Sequence, residues 1–173
     1  MKKILLIALL GFVSLYALNV ADVERRCNNG NANACVNLGD LYLNGEAVTQ
    51  NFSKAAEFYK KAARLYEKAC DGGYANGCYS LGFLYMTGYG VTQNFSKAEK
   101  FYKKACGGGS ADGCAGILLL YMAGKGVTQN YSKGIELVET AVELHKKACG
   151  GGSADGCAGI LLLYMAGKGE TQN

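Results

Sequence analysis

Polar and apolar positions follow a repeating pattern along this chain. Around residues 96–106, Ala98, Phe101, Tyr102 and Ala105 recur at the three- and four-residue spacing of one helix face, with polar and charged residues between them. Gly107 to Gly109 interrupt the pattern, because glycine accepts the left-handed conformation in which helices end. Ser110 is placed to cap a second helix that runs to about Ala123, and Gly124 and Gly126 end it. The pattern therefore predicts a helix A, a glycine turn and a helix B. Asn94 or Ser96 can cap helix A, and Ser96 with Glu99 fits a capping box.

The unit recurs. "CGGGSADGCAGILLLYMAGKG" stands at residues 106–126 and again at 149–169. The copy extends to Asn130 and Asn173 with one change, Val127 to Glu170. Looser copies share three marks: two cysteines with seven residues between them, a Y-x-x-G after the second, and a closing V-T-Q-N or relative. The marks divide residues 22–173 into units of about 22–50, 51–93, 94–129 and 130–173. First cysteines are spaced by 43, 36 and 43 residues, a period that predicts an all-α solenoid of stacked helix pairs. Seven extra residues are close to two helical turns, so the apolar stripe stays in register and helix A grows by roughly 10 Å. The Asn and Gln of each V-T-Q-N read as turn and cap residues rather than ligands.

The cysteines follow from this arrangement. An antiparallel helix pair joined by a short turn brings the end of helix A to the start of helix B. That predicts Cys27 with Cys35, Cys70 with Cys78, Cys106 with Cys114 and Cys149 with Cys157. Zinc is the competing reading, but C-x7-C is not a usual ligand spacing and His145 is the one histidine. His145 aligns with Tyr66 and Tyr102 and is read as a helix-A packing residue. Neither a metal nor another cofactor is expected.

An oxidising compartment agrees with the N-terminus. Residues 1–17, MKKILLIALLGFVSLYA, place two lysines before an apolar run that is short for a membrane span. They read as a signal peptide cleaved after Ala17, or as late as Ala21, which predicts a secreted or periplasmic protein with no membrane segment afterwards. Lys2 and Lys3 leave with it, so half of the formal +4 charge goes too. What remains is too mild to argue for nucleic acid. At the other end, Asn173 aligns with Asn51, Asn94 and Asn130, where a further helix A would begin. The last helix B carries 160–165 (ILLLYM) and has no polar cap, which predicts self-association through that end or a shortened relative of a longer protein.

With the register drawn, A-x-x-x-Y-x-K-A in 55–62 (AAEFYKKA) and L-G-x-x-Y-x-x-G-x-G-V in 79–91 (YSLGFLYMTGYGV) resemble the Sel1-like repeat. A cysteine pair in every unit, behind a signal segment, makes the chain similar to the Helicobacter cysteine-rich protein family over roughly 22–173. The resemblance implies a right-handed α-solenoid like that of tetratricopeptide arrays. It also implies a secreted penicillin-binding protein and slow β-lactamase acting on penicillin-type β-lactams. One departure bears on geometry. Leu38-Gly39 and Leu81-Gly82 keep the family's L-G pair, whereas the later units read Ile117-Leu118 and Ile160-Leu161. A leucine in the glycine's place is expected to push the neighbouring helix away.

The residues themselves do not spell that enzyme. Ser53, Ser96 and Ser132 are followed by lysine at +1 rather than +3, and neither S-D-N nor K-T-G occurs. Catalytic residues are therefore not identified, and hydrolysis would need groups assembled across repeats. Binding has the stronger physical argument. Tyr59, Tyr66 and Tyr102 on helix A, with the basic residues Arg26, Lys68, Lys104 and Lys147 before the first cysteines, form a column able to hold a carboxylate-bearing ligand. A peptide end, a muropeptide or a β-lactam has that chemistry, and a host or periplasmic protein is the macromolecular alternative. In the competing reading the tyrosines pack the solenoid and the lysines solvate its face.

Overall fold

The computed structural model describes residues 20–124 together with 142, 143, 146, 147, 150 and 151. Among these residues no strand occurs. The helices are α1 (20–28), α2 (Ala32–Asn44), α3 (Phe52–Asp71), α4 (Ala75–Thr87), α5 (Phe95–Gly107) and α6 (Ala111–Ala123). They form two compact units. One comprises the described residues up to Leu65 with Tyr89–Val91; the other comprises Tyr66–Gly88 and the residues from Thr92 onward.

The helix boundaries have local causes. Ser110 caps α6 by accepting from the Gly113 N–H at 3.2 Å, and Gly124, at φ 60°, ends it in the left-handed region. Asn94, not Ser96, caps α5, accepting from the Lys97 N–H at 2.9 Å. With Asn94 as the cap, the third helical residue is Lys97, which has no acceptor to return the bond, so the predicted capping box does not form. Glu99 pairs instead with Lys103 at 2.6 Å and accepts the Tyr121 hydroxyl at 3.1 Å.

The two described T-Q-N segments each join helix B to the next helix A through three bonds. In the first unit, Gln50 Nε2 donates to the Leu43 carbonyl at 2.8 Å. The Asn51 N–H donates to Tyr42 O at 2.8 Å, and Asn51 Oδ1 accepts from the Lys54 N–H at 2.9 Å. In the second, Gln93, Asn94 and Lys97 repeat the set with Met86 O and Tyr85 O at 2.8 Å and the Asn94 side chain at 2.9 Å. The Gln and Asn side chains and the Asn backbone N–H satisfy backbone groups that helix ends leave open.

The disulfides Cys27–Cys35, Cys70–Cys78 and Cys106–Cys114 are formed, with Cα–Cα distances of 4.7, 4.5 and 4.7 Å. Each ties the end of one helix to the first turns of the next across the glycine turn. Cys149 and Cys157 lie outside the described residues, as do the predicted signal peptide and the uncapped last helix.

Helix length agrees with the repeat spacing: α3 has 20 residues and α5 has 13. Counted from Asn51 and Asn94, Lys54 matches Lys97, Phe58 matches Phe101 and Tyr59 matches Tyr102. The extra two turns of α3 therefore sit at its C-terminal end. In the first unit the Tyr59 ring lies on Gly39, where an added Cβ would stand 2.6 Å from it. In the second, the Tyr102 ring lies on Gly82 and on Gly116. Leu118, at the position of Gly39 and Gly82, is 5% exposed and packs with Cys114, Cys106, Ala115 and Val142. Leu118 is thus accommodated in the core; whether the following helix is displaced falls on residues outside the described set.

Candidate functional site

The tyrosines of the predicted ligand column are packing residues. Tyr59 is 3% exposed, Tyr66 9% and Tyr102 1%, so their rings have no open face for a ligand. Each phenol has a local environment. Tyr59 donates to Asp40 Oδ1 at 2.6 Å, Tyr66 shares a side-chain hydrogen bond with Ser80, and the Tyr102 hydroxyl reaches Met86 Sδ at 3.6 Å. Burial raises all three phenols above their usual range, and for Tyr59 the bond to Asp40 adds to it. At neutral pH they are uncharged donors.

The lysines keep to the surface. Lys68 and Lys147 are exposed, and Lys104 Nζ lies 3.3 Å from Asp71 Oδ1. The first unit makes the corresponding join with Lys61 Nζ and Asn28 Oδ1 at 2.7 Å. Lys104 thus ties helix A to the preceding glycine turn. Rings and ammonium groups do not form one shared surface: the rings point into the core and the charged heads stay outside.

Different lysines meet different rings. Lys54 Nζ stands 4.9 Å from the centre of the Tyr42 ring, which stacks on Phe58 at 5.6 Å. Lys97, Tyr85 and Phe101 repeat the arrangement at 4.9 and 5.6 Å. The signal for it is present in the Lys-x-x-x-Phe spacing after the first two T-Q-N segments, but only folding brings the Y-x-x-G tyrosine beneath the lysine.

The open site lies in the first unit; neither Tyr59 nor Arg26 of the predicted column lines it, and none of its lining residues was singled out in the sequence. A cavity of about 730 Å³ is bounded by α1, α2 and the loop after α2. Val20, Val23 and Leu41 supply apolar wall, with Ala47 at the loop. Asn37, Asp40 and Glu46 supply polar groups. Ala47 has φ 59°, in the region that non-glycine residues rarely adopt, and it directs the loop around the cavity. Asp40 is held from behind by the Tyr59 hydroxyl, while Glu46 is exposed and lies 3.4 Å from the Asn44 amide nitrogen.

Among the described residues, no group of three or more His, Cys, Asp or Glu is placed to hold a metal. The serines are in structural use: Ser110 is buried as a cap, Ser80 bonds Tyr66, and Ser53 and Ser96 are exposed in the first turns of α3 and α5. No described helix is long and apolar enough to cross a membrane.

Three stretches, residues 32–74, 75–110 and 115–153, match the model of the Sel1 repeat. In that frame each of the first two repeats holds a helix B and the following helix A, so the bridge Cys70–Cys78 joins one repeat to the next. Among solved structures, a Sel1 repeat protein from Oxalobacter formigenes is similar at 23% identity. It aligns over 83% of this chain and 97% of that one, with a TM-score of 0.47. A protective antigen present in uropathogenic Escherichia coli strains, displaying an SLR fold, is similar at 22% identity over 86% of this chain and 36% of that one, with a TM-score of 0.50. Helicobacter pylori cysteine rich protein B is similar at 29% identity over 80% of this chain and 95% of that one, with a TM-score of 0.47. No curated protein sequence matches the chain.

Proposed function

The chain belongs to the Sel1 repeat family, and from that premise we propose that it is a secreted or periplasmic, disulfide-stapled module that binds peptide segments of partner proteins. Residues 1–17 act as its signal peptide, and the stapled units of 22–173 follow. Three disulfides support an oxidising destination. Stacked helix pairs are widely used as binding scaffolds, because a rigid core leaves loops and helix edges free to vary.

The observation that carries the reading is the cavity of the first unit. It combines apolar walls with a few oriented polar groups, the usual make-up of a ligand site, and its volume is in the usual range. The β-lactamase activity implied by the family resemblance gains no group from the structure, because the described serines are caps, packing partners or exposed helix-start residues.

The test is a peptide and muropeptide library applied to the purified, processed, oxidised protein, beside penicillin turnover at near-stoichiometric enzyme. Saturable binding that disappears on reduction, without turnover, is expected. A library without a binder overturns the module reading. Turnover that disappears on reduction would establish hydrolysis in its place.

A further inference from the structure

We propose that the cavity of the first unit receives the N-terminal residue of a peptide. Its ammonium pairs with Asp40 and Glu46, and its apolar side chain rests on Val20, Val23 and Leu41. The inference rests on the binding-module reading and names the ligand end that this site takes.

Charge decides the sign of the ligand. Among the described lining residues both ionisable side chains are carboxylates and none is basic. Asn37 adds an amide that can donate to the first peptide carbonyl. A carboxylate-bearing ligand of the kind expected from the lysine column would meet repulsion here, whereas an ammonium gains charge-assisted hydrogen bonds.

Asp40 is also pre-positioned. The Tyr59 hydroxyl donates to Oδ1 at 2.6 Å and leaves Oδ2 with its lone pairs for a second donor. Tyr59 is itself fixed on Gly39 and is 3% exposed, so little side-chain freedom remains to be lost when a ligand binds.

These acids are not demanded by the repeat. Counted from the second cysteine of each unit, Asp40 corresponds to Phe83 and Leu119, and Glu46 corresponds to Tyr89. Phe83 is 39% exposed and Leu119 58%, so the position faces outward where its packing can be seen. Helix pairing accepts apolar groups there, and the first unit alone among the described ones carries carboxylates.

The apolar walls favour an α-ammonium over a lysine. An α-ammonium brings an apolar side chain on the adjacent carbon, so both halves of the cavity are filled by one residue. A lysine ammonium ends a four-carbon stem and brings no second side chain.

Calorimetry on the processed, oxidised protein tests this. The probes are the amidated tetrapeptide Leu-Ala-Val-Gly, its N-acetylated form, and an N-acetylated peptide carrying one lysine. The free tetrapeptide should bind, and acetylation should weaken it by roughly tenfold or more. Asp40→Asn should weaken it similarly with helical content unchanged, since the asparagine oxygen still accepts from Tyr59. Glu46→Gln, on an exposed side chain, should weaken it too. Equal binding of free and acetylated peptides, or no effect of either substitution, overturns the site while leaving the module reading intact. Equal binding of the acetylated lysine peptide overturns the choice of the α-ammonium. No binding of any probe to the intact protein overturns the inference, and the library above judges the module reading separately.

Discussion

The ring of Tyr102 lies so close to Gly82 that a Cβ built on the glycine would stand 2.7 Å from ring Cδ1. On α6, a Cβ on Gly116 would stand 2.9 Å from the same ring. One side chain thus bridges α4 and α6, and each helix gives way to it with a glycine. The long α3 separates the two tasks: Tyr59 lies on Gly39, and Tyr66, seven residues on, meets Ser80.

Gly82→Ala and Gly116→Ala should therefore destabilise the protein despite alanine's better helix propensity. Overpacking against a fixed ring costs about 1–3 kcal/mol, more than the ~1 kcal/mol that alanine gains in a helix. Gly107→Ala is the control, because nothing lies within 4 Å of its added Cβ. Urea unfolding of the three variants checks the order, and equal stability would refute the ring contact.

The capping assignment separates two neighbouring residues. Asn94→Ala should cost about 1 kcal/mol, since its side chain holds the Lys97 N–H. Ser96→Ala should change stability by less than about 0.5 kcal/mol, because Ser96 is exposed in the first turn of α5. Thermal denaturation of the pair decides it; the reverse order would restore the capping box.

Buried tyrosines make the fold sensitive to alkali. Burial, reinforced by the nearby Tyr79, raises the Tyr102 phenol well above its usual value of about 10. Below that value both folded and unfolded chains hold the proton, and the phenol's contribution is fully present. Above it the unfolded chain ionises first, so stability falls as pH rises. Tyr102→Phe should lose less stability than wild type between pH 8 and 11 in denaturant titrations. Parallel losses would mean that Tyr102 ionises normally.

The disulfides differ in access. Cys27, Cys35, Cys70 and Cys78 are at most 1% exposed, as is Cys114, whereas Cys106 is only partly buried. Timed reduction followed by alkylation and mass spectrometry should find Cys106–Cys114 opening first of the three described bridges. Replacing Cys70 and Cys78 by alanine should cost roughly 2–3 kcal/mol, the loop-entropy value for so short a loop. Simultaneous opening of all bridges would show that exposure does not control the order.

What the sequence alone determined is what depends on near neighbours. Helix positions follow from apolar spacing, helix ends from Ser110, Asn94 and the glycine turns, and cysteine pairing from a separation of 8 residues across a single turn. The Sel1 motif is legible for the same reason, since each of its marks lies within one or two helices. What only the tertiary structure decided depends on residues brought together from farther apart. The Tyr59 and Tyr102 rings could face a groove or a core until Gly39 and Gly82, each 20 positions earlier, were seen to receive them. Asp40 was one acid among many until Tyr59 fixed it beside an open cavity. Local pattern sets which way a side chain leaves its helix, but burial and charge pairing depend on what the next helix places opposite it.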